Sequence, residues 1–198
     1  MVMHPRASAE FYGKLCIAAL AIITGCALHH HTPPPVTTVY LVRHGEKSTA
    51  IPNDPDPDLS SAGRARAGAL AVLLRNSGVS AIVTTQLKRT RETAQPLAAL
   101  MGVVPEIGPT GDSTHADSVA AVVKRHRGEK ILVVGHSNTI GSIIAALGGP
   151  RLPNLCDGEY SSLFVMTFVG SGPSTLIRQH YGMADPLPDS ACLTMQSR

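Results

Sequence analysis

The chain has 198 residues, of which 43% are apolar and 16% are charged, a balance typical of a globular protein. The formal net charge is only +3, aromatic residues make up 4%, and the sequence shows no basic stripe with interleaved aromatics, which argues against nucleic-acid binding. This length allows one domain with a sizeable core.

Residues 1–26 have the pattern of a lipoprotein signal peptide. Arg6 and Lys14 precede the apolar stretch 15–23, which is too short to span a bilayer and has the length of a signal-peptide core. The following Ile23-Thr24-Gly25-Cys26 resembles the bacterial lipobox, whose cysteine is lipidated after cleavage. We therefore expect an exported protein, lipid-anchored through Cys26 to the periplasmic face of a bacterial membrane. A plain secretory signal and a retained short anchor are the alternatives.

Residues 27–37 are predicted to form a flexible linker. The segment contains His29-His30-His31 and Pro33-Pro34-Pro35 and has no apolar period. Consecutive prolines favour a semi-extended polyproline conformation, which suits a tether. Three adjacent histidines could also bind a transition metal weakly, but a solvated linker is the simpler interpretation.

The rest of the chain alternates between strand and helix patterns. Strands are predicted at 39–42, 81–84, 130–134, 163–169 and 175–180, and helices after the cap Ser60 and at 88–101, 116–127 and 139–147. This alternation predicts an α/β fold, a three-layer α/β/α sandwich with a mostly parallel central sheet. One domain is expected over residues 38–184, with a C-terminal tail at 185–198.

Two helices have a predicted inward face. The apolar residues of the first helix recur three or four apart at Ala62, Ala65, Ala69, Val72 and Leu73, and Gly78 follows it. The third helix is expected to bury Val119, Val122 and Val123.

Basic residues follow three of the predicted strands. Arg43 and His44 come directly after the first strand, Arg89 follows the second, and His136 follows 130–134. Ligands of open α/β sheets bind at the carboxyl ends of parallel strands, so these four groups are expected to converge on one edge. The alternative is that both arginines are surface ion-pair partners of nearby glutamates and that His136 is an ordinary turn residue.

Four sequence blocks occur in the order typical of one enzyme family. They are Arg43-His44-Gly45-Glu46, Leu59-Ser60-Ser61-Ala62-Gly63, the segment from Thr85 to Ala94, and Gly135-His136-Ser137. Over residues 39–182 the chain resembles the histidine phosphatase superfamily, the phosphoglycerate mutase-like enzymes, and in particular a small bacterial lipoprotein member. The resemblance implies a phosphoglycerate mutase-like fold and phosphoryl chemistry.

The resemblance assigns catalytic roles that suit the chemistry of these side chains. Neutral His44 is implied to attack phosphorus and form a phosphohistidine, which water then hydrolyses. Arg43 and Arg89 remain protonated and offer paired donors that match phosphate oxygens. His136 is implied to hydrogen-bond to the phosphoryl group.

Further substrate contacts are expected from Ser137 and from Lys47 at the rim of the pocket. Ser137 or Asn138 is predicted to cap the following helix, whose free backbone N–H groups would favour an anion. A pocket built from cationic groups would repel a divalent ion, so neither a metal nor another cofactor is expected.

The acid that protonates the leaving group is not fixed by the sequence. Family members commonly use an aspartate after the second histidine, where this chain has Ser137, or a glutamate after the middle arginine. The candidates here are Glu106, Asp112 and Asp117, and Asp112 is preferred because Gly-Ser-Thr neighbours predict an exposed loop. Asp112 could equally cap the third helix, and His115 is a further candidate.

The function expected from these features is hydrolysis of phosphomonoesters or of phosphohistidine. The short span between Ala94 and 130 leaves little room for an inserted lid, so the pocket should be open, and the substrate a small phosphorylated molecule or a phosphoprotein. A non-catalytic phosphate- or protein-binding lipoprotein and a phosphoglycerate mutase-type phosphotransferase are the alternatives.

Two cysteines remain in the predicted mature domain. Cys156 and Cys192 are an even pair in what should be an oxidising compartment, and a disulfide between them is expected. Two free thiols are the alternative.

Overall fold

The structure is a computed structural model, and it describes residues 33–108, 114–170, 172–188, 190 and 192. These residues form six strands and four helices: β1 (Val36–Arg43), α1 (Ser61–Leu74), β2 (Ala81–Thr84), α2 (Lys88–Met101), β3 (Glu106–Ile107), α3 (His115–Arg125), β4 (Lys130–Gly135), α4 (Ile140–Ala146), β5 (Ser162–Val169) and β6 (Ser174–His180). The predicted signal peptide, its Cys26 and the acid candidate Asp112 lie outside the described residues.

The strands form one sheet with the order β3-β2-β4-β1-β5-β6. The pairs β1 with β4, β2 with β4, and β2 with β3 are parallel, whereas β5 is antiparallel to both β1 and β6. Within the described residues, β5 is therefore the strand that runs against the other five. The mostly parallel sheet is confirmed, and the two-residue strand β3 was not predicted.

Helices cover both faces of this sheet, as the three-layer prediction requires. Side chains of a strand alternate between the two faces. In β4, Ile131 and Val133 pack with α3 and α4, whereas Leu132 and Val134 pack with α1 and α2. A strand buried on both faces appears in the sequence as a continuous apolar run, which is why β4 could be predicted.

The predicted inward face of α1 is wrong. Val72 is 63% exposed, Leu73 is 50% exposed, and Ala65 is exposed as well. The helix instead buries its other side, with Gly63, Arg66, Ala67, Leu70, Ala71 and Leu74. Small residues stand on every side of α1, so the apolar period is ambiguous, and the two larger leucines that reach the sheet decide the face. In α3 the predicted Val119, Val122 and Val123 are all buried.

No helix among the described residues is long and apolar enough to cross a bilayer.

Candidate active site

Three neighbouring parallel strands deliver the four predicted basic residues to one edge of the sheet. Arg43 ends β1 and His44 follows it, His136 follows β4, and Arg89 lies in the first turn of α2, after β2. The rings of His44 and His136 lie edge to face with centroids 5.3 Å apart. Because the charges of both arginines act on both histidines, the four groups form one cationic cluster.

The protonation pattern of His44 is set by a backbone carbonyl. Its Nδ1 lies 2.7 Å from the Gly45 oxygen, which can only accept a hydrogen bond, so Nδ1 carries the proton. The backbone N–H of His44 donates to the Gly135 oxygen at 2.9 Å and ties the turn to β4. The other ring nitrogen, Nε2, therefore holds the lone pair of the neutral imidazole.

Both histidines are neutral at physiological pH. Burial lowers the pKa of His44 to about 3, against the hydrogen bond to Gly45, and the charges of His136, Arg43 and Arg89 add to the decrease. Burial also lowers the pKa of His136 to about 4, with further contributions from Arg89, His115 and Arg43. A neutral imidazole is the nucleophilic form, so His44 is ready to react without losing a proton.

Arg43 is held by the loop that precedes β5. Its Nη1 donates to the carbonyl oxygens of Cys156, Asp157 and Glu159 at 2.8, 2.9 and 3.1 Å. Tyr160 lies against the same guanidinium, with its ring centroid 4.0 Å from Cζ. These contacts fix the position of a buried charge that the sheet alone would not orient.

Arg89 reaches the site from α2. The N–H of Gly45 donates to Thr93 Oγ1, which donates in turn to the Arg89 oxygen at 2.7 Å, so the first block and the helix are joined. Burial lowers the pKa of Arg89, although Asp56, 3.8 Å away, opposes this effect. Among the described residues, neither Arg89 Nε nor Arg43 Nε has a hydrogen-bond partner, although both atoms are buried. Two unpaired cationic donors next to His44 suit an anion.

His136 is oriented by hydroxyl groups. Its Nε2 lies 3.3 Å from Thr85 Oγ1, and its backbone N–H donates to Thr139 Oγ1 at 2.9 Å. The N-cap of α4 is Thr139, so the prediction that Ser137 or Asn138 caps this helix is wrong. The physical reason is that the turn after β4 is one residue longer than expected, so the helix begins at Ile140. The Thr139 hydroxyl accepts the hydrogen bond from the His136 N–H. Ser137 lies in the turn, where its carbonyl accepts from the Leu155 N–H.

The glutamates of the sequence blocks form hydrogen bonds with residues other than the site arginines. Glu46 accepts from Nε and Nη2 of Arg66, and Glu92 accepts from the Leu59 N–H at 2.7 Å. The alternative in which Arg43 and Arg89 pair with these glutamates is therefore excluded.

Two glycines allow the first block to pack against α1. A Cβ atom on Gly63 would lie 2.9 Å from the Glu46 nitrogen and closer still to the Glu46 oxygen, and one on Gly45 would lie 2.9 Å from the Gly63 oxygen. Ser60 caps the helix by accepting from the Gly63 N–H. The second block thus supports the turn that carries His44.

The remaining candidates that the structure describes are Lys47, Glu106, His115 and Asp117. Lys47 is exposed, and its backbone pairs with Leu59. Glu106 bonds to Arg125 and His126, so it is engaged elsewhere. His115 is buried at the start of α3 and acts on His136, whereas Asp117 is in the first turn of the same helix. The identity of the residue that protonates the leaving group therefore stays a prediction.

Three residues at the site were not found from the sequence. Tyr160, Asp56 and Thr85 reach Arg43, Arg89 and His136 respectively. Thr85 lies in the third block, which was a usable signal, but Tyr160 and Asp56 stand in irregular segments that only the folded chain brings near.

Within the described part of the chain, no group of three or more His, Cys, Asp or Glu side chains is arranged to hold a metal ion.

The structure joins Cys156 to Cys192 by a disulfide, with Cα atoms 5.6 Å apart. Cys156 also supplies one of the carbonyls that hold Arg43. The disulfide therefore attaches the C-terminal end of the described chain to the loop that supports the site.

Comparison with known proteins agrees with this geometry. The model of the histidine phosphatase superfamily (branch 1) matches residues 39–110, which include the first three blocks. The match supports the resemblance to this superfamily over residues 39–110. The matched residues include Arg43, His44 and Arg89 and the glycine that lets α1 pack against the first block.

Individual relatives are similar over parts of their length. A stretch of 128 residues, 60% of this chain, is 33% identical to the PE-PGRS family protein PE_PGRS11 of Mycobacterium tuberculosis and covers 20% of it. A stretch of 69 residues, 33% of this chain, is 36% identical to the probable phosphoglycerate mutase GpmB of Yersinia enterocolitica and covers 32% of it. The chain thus matches about a fifth and a third of these relatives.

Solved structures share the fold. The protein histidine phosphatase SixA, determined with tungstate, superposes with a TM-score of 0.59 at 19% identity, over 72% of this chain and 96% of that one. The α/β architecture is therefore that of the histidine phosphatase and phosphoglycerate mutase-like structures.

Proposed function

We propose that this protein is a phosphatase that hydrolyses phosphomonoesters, or phosphohistidine, through a covalent phosphohistidine on His44. The observation that carries the proposal is the neutral His44, whose Nδ1 donates to Gly45 and whose Nε2 has no hydrogen-bond partner among the described residues, in a cluster with the buried Arg43 and the half-buried Arg89. Imidazole supplies the nucleophile, and the arginines supply the fixed positive charge that a phosphoryl transition state requires.

The reaction has two displacements at phosphorus. In the first, the Nε2 lone pair forms the N–P bond as the bond to the ester oxygen breaks, and the departing oxygen takes up a proton. In the second, a water oxygen attacks the same phosphorus, the N–P bond breaks, and the water loses a proton. Arg43 and Arg89 stabilise the oxygens in both steps, and His44 returns to its neutral form.

The comparisons support an oxyanion site. SixA was determined with tungstate, a tetrahedral oxyanion, and the unpaired Nε donors of Arg43 and Arg89 suit a ligand of that shape. We infer that the substrate is a small phosphorylated molecule or a phosphoprotein.

Labelling with a denaturing quench at alkaline pH tests the proposal. Protein mixed with a ³²P-labelled monoester should carry acid-labile, base-stable label, which should disappear with water as the acceptor. His44→Ala should abolish labelling and reduce p-nitrophenyl phosphate hydrolysis by several orders of magnitude. His126→Ala is the matched control, because that histidine pairs with Glu106 and should leave hydrolysis unchanged.

The same experiment separates the alternatives. The similarity to GpmB, named a probable phosphoglycerate mutase, supports a phosphotransferase as the second candidate function. Label that leaves only after an acceptor acid or sugar is added would indicate that activity. Folded protein that acquires no label would indicate a binding protein. Hydrolysis that stops with EDTA and returns with a metal would contradict a metal-free site.

We further propose that the chain is exported and anchored by lipid on Cys26. The support is the lipobox-like Ile23-Thr24-Gly25-Cys26 after a short apolar stretch. Cells fed radioactive fatty acid should yield labelled protein in the membrane fraction, and Cys26→Ser should yield none. Equal labelling of both would contradict the anchor.

A further inference from the structure

The donors of Arg43 can be assigned one by one. A guanidinium has five N–H groups in a plane. Three carbonyl oxygens, those of Cys156, Asp157 and Glu159, surround Nη1 and engage both of its hydrogens. Nη2 donates one hydrogen to the Tyr160 hydroxyl at 3.3 Å. The Nε–H and one Nη2 hydrogen have no partner among the described residues.

On a guanidinium, the Nε–H and the neighbouring Nη2 hydrogen lie side by side in one plane. Parallel N–H groups of this kind match two oxygens of one phosphoryl group. Nε is buried and has no partner among the described residues, an arrangement that is costly unless an anion completes it. The edge of Arg43 that is left open is therefore a two-donor phosphate site.

Tyr160 determines which edge stays open. Its hydroxyl takes one Nη2 hydrogen, and its ring lies 4.0 Å from Cζ, so the guanidinium can neither turn nor tilt freely. Tyr160 is itself fixed, because its backbone N–H donates to Asp185 Oδ1 at 2.9 Å. Its ring centroid is 6.3 Å from that of His44, which places it at the border of the reaction site.

We propose that Tyr160 is a positioning residue that presents the Nε and Nη2 edge of Arg43 to the phosphoryl group of the substrate. The inference rests on the proposed function. Tyr160 acts through Arg43, and its loss weakens oxyanion binding as well as turnover.

Two variants separate the contributions of the hydroxyl and the ring. Tyr160→Phe should raise the dissociation constant for tungstate and lower kcat/KM for p-nitrophenyl phosphate, each about tenfold, the effect of one hydrogen bond to a charged group. Tyr160→Leu, which also removes the stacked ring, should cost about a hundredfold. Tyr40→Phe is the matched control, since Tyr40 packs against the core cluster under α1 and α2, and it should leave both quantities unchanged.

A double-mutant cycle with Arg43→Ala, read by tungstate titration calorimetry, completes the test. If Tyr160 acts through Arg43, adding Tyr160→Phe to Arg43→Ala should have no further effect. Additive losses, or a Tyr160→Phe protein that binds like the wild type, would overturn the inference and leave the proposed function intact. Wild-type protein that neither binds tungstate nor hydrolyses the ester would overturn both.

Discussion

Arg89 contributes charge without being held as tightly as Arg43. Its anchoring comes from α2, its Nε is unpaired among the described residues, and Asp56 lies 3.8 Å from Nη1. Arg89→Ala should lower kcat/KM for p-nitrophenyl phosphate by roughly two to four orders of magnitude, because a charged donor to the transferring group is lost. Arg91→Ala, an exposed arginine on the same helix, is the control in the same assay. Equal rates for the two variants would remove Arg89 from the site.

The two site histidines make the folded protein sensitive to acid. Their pKa values are about 3 and about 4 in the fold, below the ordinary 6.5 that they regain on unfolding. Between pH 6.5 and 4 the unfolded chain therefore binds more protons, and the free energy of unfolding must fall as the pH falls. Urea unfolding at pH 7.5 and 5.0 should show this loss, and His44→Asn should reduce it.

His126 provides a control of opposite sign for this pH experiment. Burial alone would lower its pKa, but hydrogen bonds to Glu106 and Glu129 raise it overall. Its stabilising effect is full below pH 6.5 and disappears as the pH rises past its folded pKa. His126→Asn should therefore make the acid-induced loss steeper, and a smaller loss in both variants would contradict the assignment.

At the scale of elements, the packing of α1 depends on Gly63. A side chain there would meet the backbone of Glu46, so Gly63→Ala should destabilise the protein by about 1–3 kcal/mol and reduce hydrolysis through the displaced turn. Gly68→Ala lies in the same helix with nothing within 4 Å of the added Cβ, and it should stabilise by about 0.5–1 kcal/mol. Urea unfolding measures the free energy of unfolding of both variants. Equal changes would show that the close approach of Gly63 to the Glu46 backbone is unimportant.

The elements that could be predicted from the sequence are those whose apolar pattern is compatible with only one kind of element and one buried face. The central strands are buried on both faces and read as continuous apolar runs, and the residues at their ends converge because parallel neighbours share an edge. The face of α1 could not be predicted, since its small residues satisfy two faces equally well and the choice depends on Leu70 and Leu74 meeting the sheet. Tyr160 was missed because its contact with Arg43 spans 117 residues of chain.

At the scale of the whole molecule, the disulfide stabilises both the fold and the site. The bond closes a loop with a separation of 36 residues, and such a closure contributes about 4 kcal/mol in the chain-entropy model. The double variant Cys156→Ser, Cys192→Ser should lose that amount in urea unfolding and should also hydrolyse ester more slowly, because the Cys156 carbonyl holds Arg43.

Reductant provides the control for the disulfide experiment. Wild-type protein in reductant should reproduce the stability and rate of the serine variant, whereas the variant itself should not respond. Intact mass after alkylation gives an independent reading. Two alkylatable thiols in wild-type protein before reduction would exclude the bond.

The low pKa of His136 has a thermodynamic consequence for ligand binding. This imidazole is neutral because burial and the charges of Arg89, His115 and Arg43 disfavour its protonation. A doubly charged anion placed beside it reverses the balance of charge, so the complex should take up a proton from the solvent. The heat of tungstate binding at pH 6 should then vary with the ionisation enthalpy of the buffer, and this variation should vanish in His136→Asn. The protein would thus act as a proton acceptor whenever it captures an oxyanion, and its affinity would increase as the medium becomes more acidic until the anion itself is protonated.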